Sequence, residues 1–178
     1  MHAQQWILLG IIVIGGAAVI GSYIHGIATH AHSASVLWGG TPRVLRLVNI
    51  PFMILAAIGF IAFTYYILFR LNPEEVQIAD RFDFSIFYVL FALILIPSAL
   101  WMPLTFSMIA HPSTGPWVGI RLILAVVGIT SIALLLALLN LNTNATGLAY
   151  WFAISGATAF CIQTFVFDTF LWSAFFLT

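Results

Sequence analysis

Residues 117–139 read WVGIRLILAVVGITSIALLLALL, a run of 23 residues in which Arg121 is the one charged side chain. An α-helix that crosses the hydrocarbon core of a bilayer needs about 20 consecutive apolar residues. The run is long enough for such a helix, and it is therefore predicted to span a membrane.

The composition of the whole chain indicates the same environment. Hydrophobic residues make up 63% of the chain and charged residues only 6%, whereas a soluble domain has about 25% charged residues. So few charges could not cover a surface that faces water. The chain is therefore predicted to be an integral, multi-pass membrane protein, with the lipid bilayer as its principal partner.

Four further stretches are long and apolar enough to span. The fold class expected is an all-α integral membrane protein, a single domain over residues 1–178 with five transmembrane helices at residues 6–24, 47–69, 84–108, 117–139 and 147–177. The last stretch would be about 46 Å long as a helix, and the hydrocarbon core is about 30 Å thick. We therefore expect it to tilt, to project from the membrane or to place its last turns, residues 172–178, in the interface. Projection or packing against a partner is the favoured reading.

Several function classes are disfavoured by residues that the chain lacks. The formal net charge is zero and there is no lysine, so nucleic-acid binding, lysine Schiff-base chemistry and a Walker-type phosphate loop are not expected. Cys161 is the only cysteine, which excludes an internal disulfide. No zinc-protease motif, nucleophile elbow or pair of catalytic carboxylates is present, and the chain is not expected to be an enzyme.

Polar side chains inside the predicted spans are the first candidates for function, because burying them in lipid is costly. Asp168 follows Gln163 by five positions in the aromatic fifth stretch. At membrane depth Asp168 would need Arg121, a proton or a ligand as its partner. The alternative places Asp168 near the interface, in contact with water or a neighbouring loop. Arg121 is either an interfacial arginine whose charge reaches water or a charge that faces a cavity and pairs with an anionic group of the ligand.

The third stretch contains Pro97 and Pro103 on either side of Ser98 and Trp101. A proline inside a helix removes a backbone hydrogen bond and kinks the helix, and the freed carbonyl needs another partner. The pair could therefore open the wall of a pocket, or it could be a kink needed only for packing.

Three histidines follow the first predicted helix: His25, His30 and His32. Imidazole is a common ligand of zinc, copper and haem iron. No cysteine or carboxylate lies nearby to complete a set, so these histidines are weak metal candidates and the alternative is a set of interfacial loop residues.

Four short segments carry a resemblance to a known family. Residues 41–43 read TPR at the end of the first loop, and residues 58–60 read IGF in the second predicted helix. Residues 101–106 read WMPLTF, and residues 159–167 read AFCIQTFVF. In this order the segments resemble elements of the translocator protein family, also called tryptophan-rich sensory proteins. The third segment is similar to the family's Trp-x-Pro-x-x-Phe, and the fourth to its Ala-x-x-x-Asn-x-x-x-Trp, with Gln163 for Asn and Phe167 for Trp.

The chain departs from the family at residues that line its ligand pocket. Ser98 stands where the family has Asn, and the family's Trp-Tyr in the first loop is absent unless Val36–Trp38 stands in for it. The resemblance implies a five-helix bundle whose pocket is closed by the first loop. It also implies binding of porphyrins and other tetrapyrroles, or of sterols, by a protein that often forms dimers.

Two functions therefore remain open. The first is a binding, transport or receptor protein whose apolar pocket takes a flat hydrophobic ligand such as a tetrapyrrole or a sterol. Its candidate ligand-binding residues are Trp38, Ser98, Trp101, Pro103, Arg121, Gln163, Phe167 and Asp168. The alternative is a structural subunit of a larger respiratory or photosynthetic membrane complex, whose histidines would bind haem or chlorophyll. A small channel or proton-coupled transporter that uses Asp168 is a third reading, but such proteins usually have more polar residues inside the membrane.

Overall fold

The computed structural model describes residues 2–30, 36–142 and 147–176. Within these residues there are five helices long and apolar enough to cross a membrane, and no strand is formed. They are α1 (Ala3–Thr29), α2 (Arg43–Phe69), α3 (Ile86–Ala110), α4 (Thr114–Leu139) and a fifth span, Leu148–Phe175, made of α5 (Leu148–Cys161), a π-helical segment (Ile162–Trp172) and α6 (Ser173–Phe175). The prediction of an all-α membrane protein with five spanning helices is confirmed.

The helices do not pack in chain order. α1 packs against α3, α3 against α4, α4 against the fifth span, and α5 against α2, while α1 and α2 make little contact. We call the two ends of the bundle the N-terminal end, which holds His2 and the loops at residues 70–85 and 140–142, and the first-loop end, which holds residues 36–42, 111–113 and 172–176.

Glycines allow the tightest helix contact, between α2 and α5. A Cβ atom added to Gly59 would lie 2.3 Å from the carbonyl oxygen of Gly156, so the two backbones touch. Apolar helices gain little from burying one another in lipid, because lipid is equally apolar, and close backbone packing at small residues takes the place of that gain.

The buried apolar side chains form two clusters. The larger one fills the half of the bundle near the N-terminal end and includes Leu8, Phe63, Phe91, Leu134 and Ala157. The smaller one lies at the first-loop end and consists of Met108, Ile120, Leu124, Trp172 and Phe176, with Trp101 and Trp117 packed against it. Along the fifth span, Gln163 and Asp168 fall between the two clusters.

The loop at residues 70–85 is folded onto the N-terminal end rather than loosely solvated. The Ala79 N–H donates to the Asn140 carbonyl at 2.9 Å, and the Asn142 N–H donates to the Gln77 carbonyl at 2.9 Å. The side chains of Pro73 and Ile78 are buried. This loop therefore ties the α2–α3 connection to the end of α4.

α3 continues across both of its prolines. The Ser98 hydroxyl donates to the Ile94 carbonyl at 2.6 Å, and the Thr105 hydroxyl donates to the Trp101 carbonyl at 2.8 Å. The two hydroxyls thus bond to carbonyls of their own helix in the region that the prolines weaken.

Candidate functional site

The π-helical segment brings Gln163 and Asp168 together. Its wider turn repeats through i→i+5 hydrogen bonds, so side chains five positions apart meet on one face. Gln163 Nε2 donates to Asp168 Oδ1 at 2.9 Å, and the Thr169 hydroxyl donates to the Thr164 carbonyl at 2.9 Å, again five positions back. In an α-helix the neighbours would be three or four apart. π-helices are rare, and the single-turn forms that do occur are often found at functional sites.

α4 holds this segment in place through small and hydroxylated residues. A Cβ atom added to Gly128 would lie 2.8 Å from Thr169 Oγ1 and 3.1 Å from Phe165 Cα. The Thr169 hydroxyl is 2.9 Å from the Leu124 carbonyl, and the Thr164 hydroxyl donates to Ser131 Oγ at 2.8 Å. The unusual backbone is therefore supported by contacts from a neighbouring helix.

The contact with α4 also shows how deep Asp168 lies. Its neighbour Thr169 is bonded to Leu124, which lies ten residues after Thr114, the first residue of α4. Ten helical residues span about 15 Å. Asp168 therefore lies well within the span, and not at its end.

Arg121 does not pair with Asp168. Its side chain is exposed, with the guanidinium 5.4 Å from the centre of the Trp117 ring. This is the cation–π geometry expected of an arginine at the end of a membrane helix. In the part of the chain that the structure describes, the one salt bridge joins His2 and Glu74 at the N-terminal end.

The surroundings of the Gln163–Asp168 pair come from another helix. Asp168 is half-buried, and Tyr23 of α1 is close enough to interact with it electrostatically. The Tyr23 ring lies 5.7 Å from the ring of Trp101 on α3. Gln163 is only 6% exposed, and its Oε1 atom has no hydrogen-bond partner among the described residues. The pair thus combines an acceptor without a donor and a carboxyl group without a cation.

Aromatic rings continue from Trp101 to the first-loop end. Trp101 meets Trp172 edge-on at 5.6 Å, and Trp172 stacks on Phe176 at 4.3 Å. The Nε1 atom of Trp101 is buried and has no partner in the described structure. It is therefore a donor with no acceptor, in the same region as the unpaired acceptor of Gln163.

The first loop covers these rings. The Trp172 Nε1–H donates to the Leu37 carbonyl at 2.8 Å, and the Gly40 N–H donates to the Phe175 carbonyl at 2.8 Å. Gly39 has a φ of 50°, and a Cβ atom there would lie 2.5 Å from the Phe176 carbonyl oxygen. The last turns of the fifth span therefore form the surface on which the loop of the same chain packs.

Trp38 belongs to this cover. The guanidinium of Arg46 lies 5.8 Å from the centre of the Trp38 ring and donates to the carbonyls of Thr41 at 2.8 Å and Gly39 at 3.2 Å. These bonds hold the loop over the aromatic rings. They also direct the Arg46 guanidinium to carbonyls of the loop.

The other predicted site residues lie away from the polar pair or are used in packing. Phe167 is buried against Phe52 of α2, with ring centres 5.1 Å apart. Pro103 is exposed, and the Ser98 hydroxyl bonds to its own helix. The structure therefore brings Trp101, Gln163 and Asp168 into one region, with Trp38 in the loop above it.

His25 and His30 lie at the C-terminal end of α1. His25 is exposed, and the His30 ring stacks on Phe106 with centres 4.1 Å apart. His32 lies outside the described residues. Within residues 2–30, 36–142 and 147–176, no group of three or more His, Cys, Asp or Glu side chains could hold a metal ion.

Three residues of this region were not among the predicted site residues: Tyr23, Asn49 and Trp172. Tyr23 follows Ser22, and this pair interrupts the apolar run of α1. Asn49 is the one amide in α2; it is buried, and its Oδ1 has no hydrogen-bond partner. Asn49 lies three positions before Phe52, on the face of α2 that meets the fifth span.

A shallow pocket at the N-terminal end has a different character. It has a volume of about 330 Å³ and is lined by His2, Gln5 and residues 68–72. The Gln5 amide donates to the carbonyls of Leu68 at 2.7 Å and Leu71 at 3.2 Å, and its Oε1 accepts from the His2 N–H at 2.8 Å. The Gln5 amide is thus already bonded on both sides, and it joins the chain's start to the end of α2.

No protein-family model, curated protein or solved structure matches this chain. The resemblance to translocator proteins therefore stays a prediction.

Proposed function

We propose that the chain is a membrane binding or transport protein whose flat, hydrophobic ligand lies between Trp101 and the Gln163–Asp168 pair, beneath the first loop. One observation carries the proposal: a linked amide and carboxyl group lie inside an apolar span, and the amide oxygen has no donor. A buried polar group left unpaired costs about 1–3 kcal/mol. A ligand that supplies the missing partner removes that cost.

The composition of the region supports a flat and apolar ligand. Ligand sites are mostly apolar and aromatic, with a few polar groups that fix orientation. Here the rings of Tyr23, Trp101 and Trp172 are adjacent, and the polar groups are Gln163, Asp168 and the indole N–H of Trp101. A tetrapyrrole or a sterol has the apolar surface that such rings would contact.

One route of entry is consistent with the contacts. The first loop is held down by a few hydrogen bonds, and its release would open the first-loop end.

A porphyrin titration tests the proposal. The protein is placed in lipid nanodiscs, and tryptophan quenching and the porphyrin absorption band are followed against empty nanodiscs. We expect saturable binding that Trp101→Ala weakens about two- to thirteenfold, since an aromatic pair contributes about 0.5–1.5 kcal/mol beyond buried area.

Trp151→Ala is the matched control, because Trp151 is 61% exposed at the N-terminal end. It should leave the affinity unchanged. Quenching that never saturates, or equal effects of the two substitutions, would contradict the proposal.

A further inference from the structure

We infer that the ligand carries a protonated nitrogen whose N–H groups meet Asp168 and Gln163, so that the site selects hydrophobic cations over neutral molecules of the same shape. This inference rests on the proposed function and narrows its ligand class. It separates nitrogen-bearing ligands from sterol-like ones, whose polar group is an uncharged hydroxyl.

The first observation is that Asp168 has no basic partner among the described residues. Asp168 lies inside the span, and no described arginine or histidine forms a salt bridge with it. Arg46 is bonded to carbonyls of the first loop, and Arg121 lies over Trp117. Acidic residues within a membrane almost always pair with another group or face a water-filled cavity. A cationic ligand would supply that charge partner.

The second argument is the orientation of the Gln163 amide. Gln163 Nε2 donates to Asp168 Oδ1 at 2.9 Å, so the amide oxygen is turned away from the carboxyl group. That oxygen is the buried Oε1 atom, which has no hydrogen-bond partner among the described residues. The site therefore presents two acceptors, the amide oxygen and the carboxyl group, and a protonated nitrogen with more than one N–H matches both.

The third argument is the aromatic surface beside the carboxyl group. Tyr23 of α1 lies near Asp168, and its ring lies 5.7 Å from that of Trp101. The faces of aromatic rings attract cations, most strongly where water is excluded. A flat cation can thus stack on these rings while its nitrogen faces Asp168.

The test compares two flat dyes of one shape, cationic 9-aminoacridine and neutral 9-methylanthracene. Binding is measured in nanodiscs of zwitterionic phosphatidylcholine, and the signal of empty nanodiscs is subtracted. We expect the wild-type chain to prefer the cation by about tenfold, which corresponds to the lower end of a hydrogen bond to a charged group.

Asp168→Asn should remove that preference and leave the affinity for 9-methylanthracene unchanged. Gln163→Leu should reduce the preference in part. Glu75→Gln, which alters an exposed carboxylate of the loop at residues 70–85, should leave it intact. Asn matches Asp in size, so we expect the fold of Asp168→Asn to be kept. Size-exclusion chromatography and thermal unfolding of the variant check this.

The outcomes separate the inference from the proposed function. Equal binding of both dyes by the wild type would overturn the inference and leave the hydrophobic site standing. A preference that survives Asp168→Asn would also overturn it. Failure of both dyes and of the porphyrin to bind saturably would overturn the proposed function as well.

Discussion

Replacing Trp172 with Phe tests how the first loop is held over the aromatic rings. The substitution removes the hydrogen bond from Trp172 Nε1 to the Leu37 carbonyl. It keeps an aromatic ring that can stack on Phe176 and meet Trp101. The change therefore acts mainly on the loop and less on the packing below it.

The size of the effect follows from that one bond. A hydrogen bond contributes about 0.5–1.5 kcal/mol net, so the equilibrium for loop opening should rise about two- to thirteenfold. Local opening of this kind is visible in amide hydrogen exchange. The reporter is the Gly40 N–H, which is bonded to the Phe175 carbonyl at 2.8 Å when the loop is closed.

The assay is hydrogen exchange followed by mass spectrometry on the protein in nanodiscs. We expect faster exchange of the peptide that contains Gly40 in Trp172→Phe. The control Trp151→Phe, at the opposite end of the bundle, should exchange as the wild type does. Unchanged exchange at Gly40 in Trp172→Phe would refute the view that this indole bond holds the loop.

Three further predictions concern other parts of the molecule. Gly59→Ala should lower the free energy of unfolding by about 1–3 kcal/mol, because the added methyl group overpacks the contact with Gly156. Gly16→Ala should not lower it, because a Cβ atom at Gly16 meets nothing within 4 Å. Equal free energies of unfolding for the two variants would contradict the α2–α5 packing. His30→Ala removes a ring stacked on Phe106 and should leave porphyrin affinity unchanged; loss of a haem or chlorophyll absorption band in this variant would instead favour a pigment-binding subunit. The hydroxyl and the backbone N–H of Ser85 hold the pKa of Asp83 below its ordinary value, so Ser85→Ala should raise that pKa in an NMR titration. The stability that this pair adds is present at neutral pH and is lost as pH falls through the lowered pKa. An unchanged pKa of Asp83 in the variant would show that the hydroxyl has no such effect.

The five spans could be predicted because a membrane helix has a simple requirement, an apolar run of sufficient length. The predicted ends of the helices were less accurate than their number. α1 was expected to end at Ile24, but it continues to Thr29. The Thr29 hydroxyl donates to the His25 carbonyl at 2.7 Å, so polar residues in the last turns bond to their own helix. His25 is therefore a helical residue and not a loop residue.

The candidate site was predicted in part. Trp101, Gln163 and Asp168 stood out because they are polar or aromatic residues in apolar runs. Their arrangement depends on the π-helical segment, and that segment is supported by Gly128 of α4, which is distant in sequence. The contribution of Tyr23 likewise depends on α1 packing against α3. Such contacts between distant segments cannot be derived from hydrophobic runs.

The proposed function places a flat hydrophobic ligand between Trp101 and the Gln163–Asp168 pair, beneath the first loop. The most direct measurement is ¹⁹F NMR of protein labelled with 5-fluorotryptophan, with signals assigned by single substitutions and followed during a porphyrin titration. Of the six tryptophans, Trp101 and Trp172 should shift saturably, while the exposed Trp6 and Trp151 at the N-terminal end should stay in place. Saturable shifts confined to Trp6 and Trp151, or no saturable shift at any tryptophan, would contradict the account.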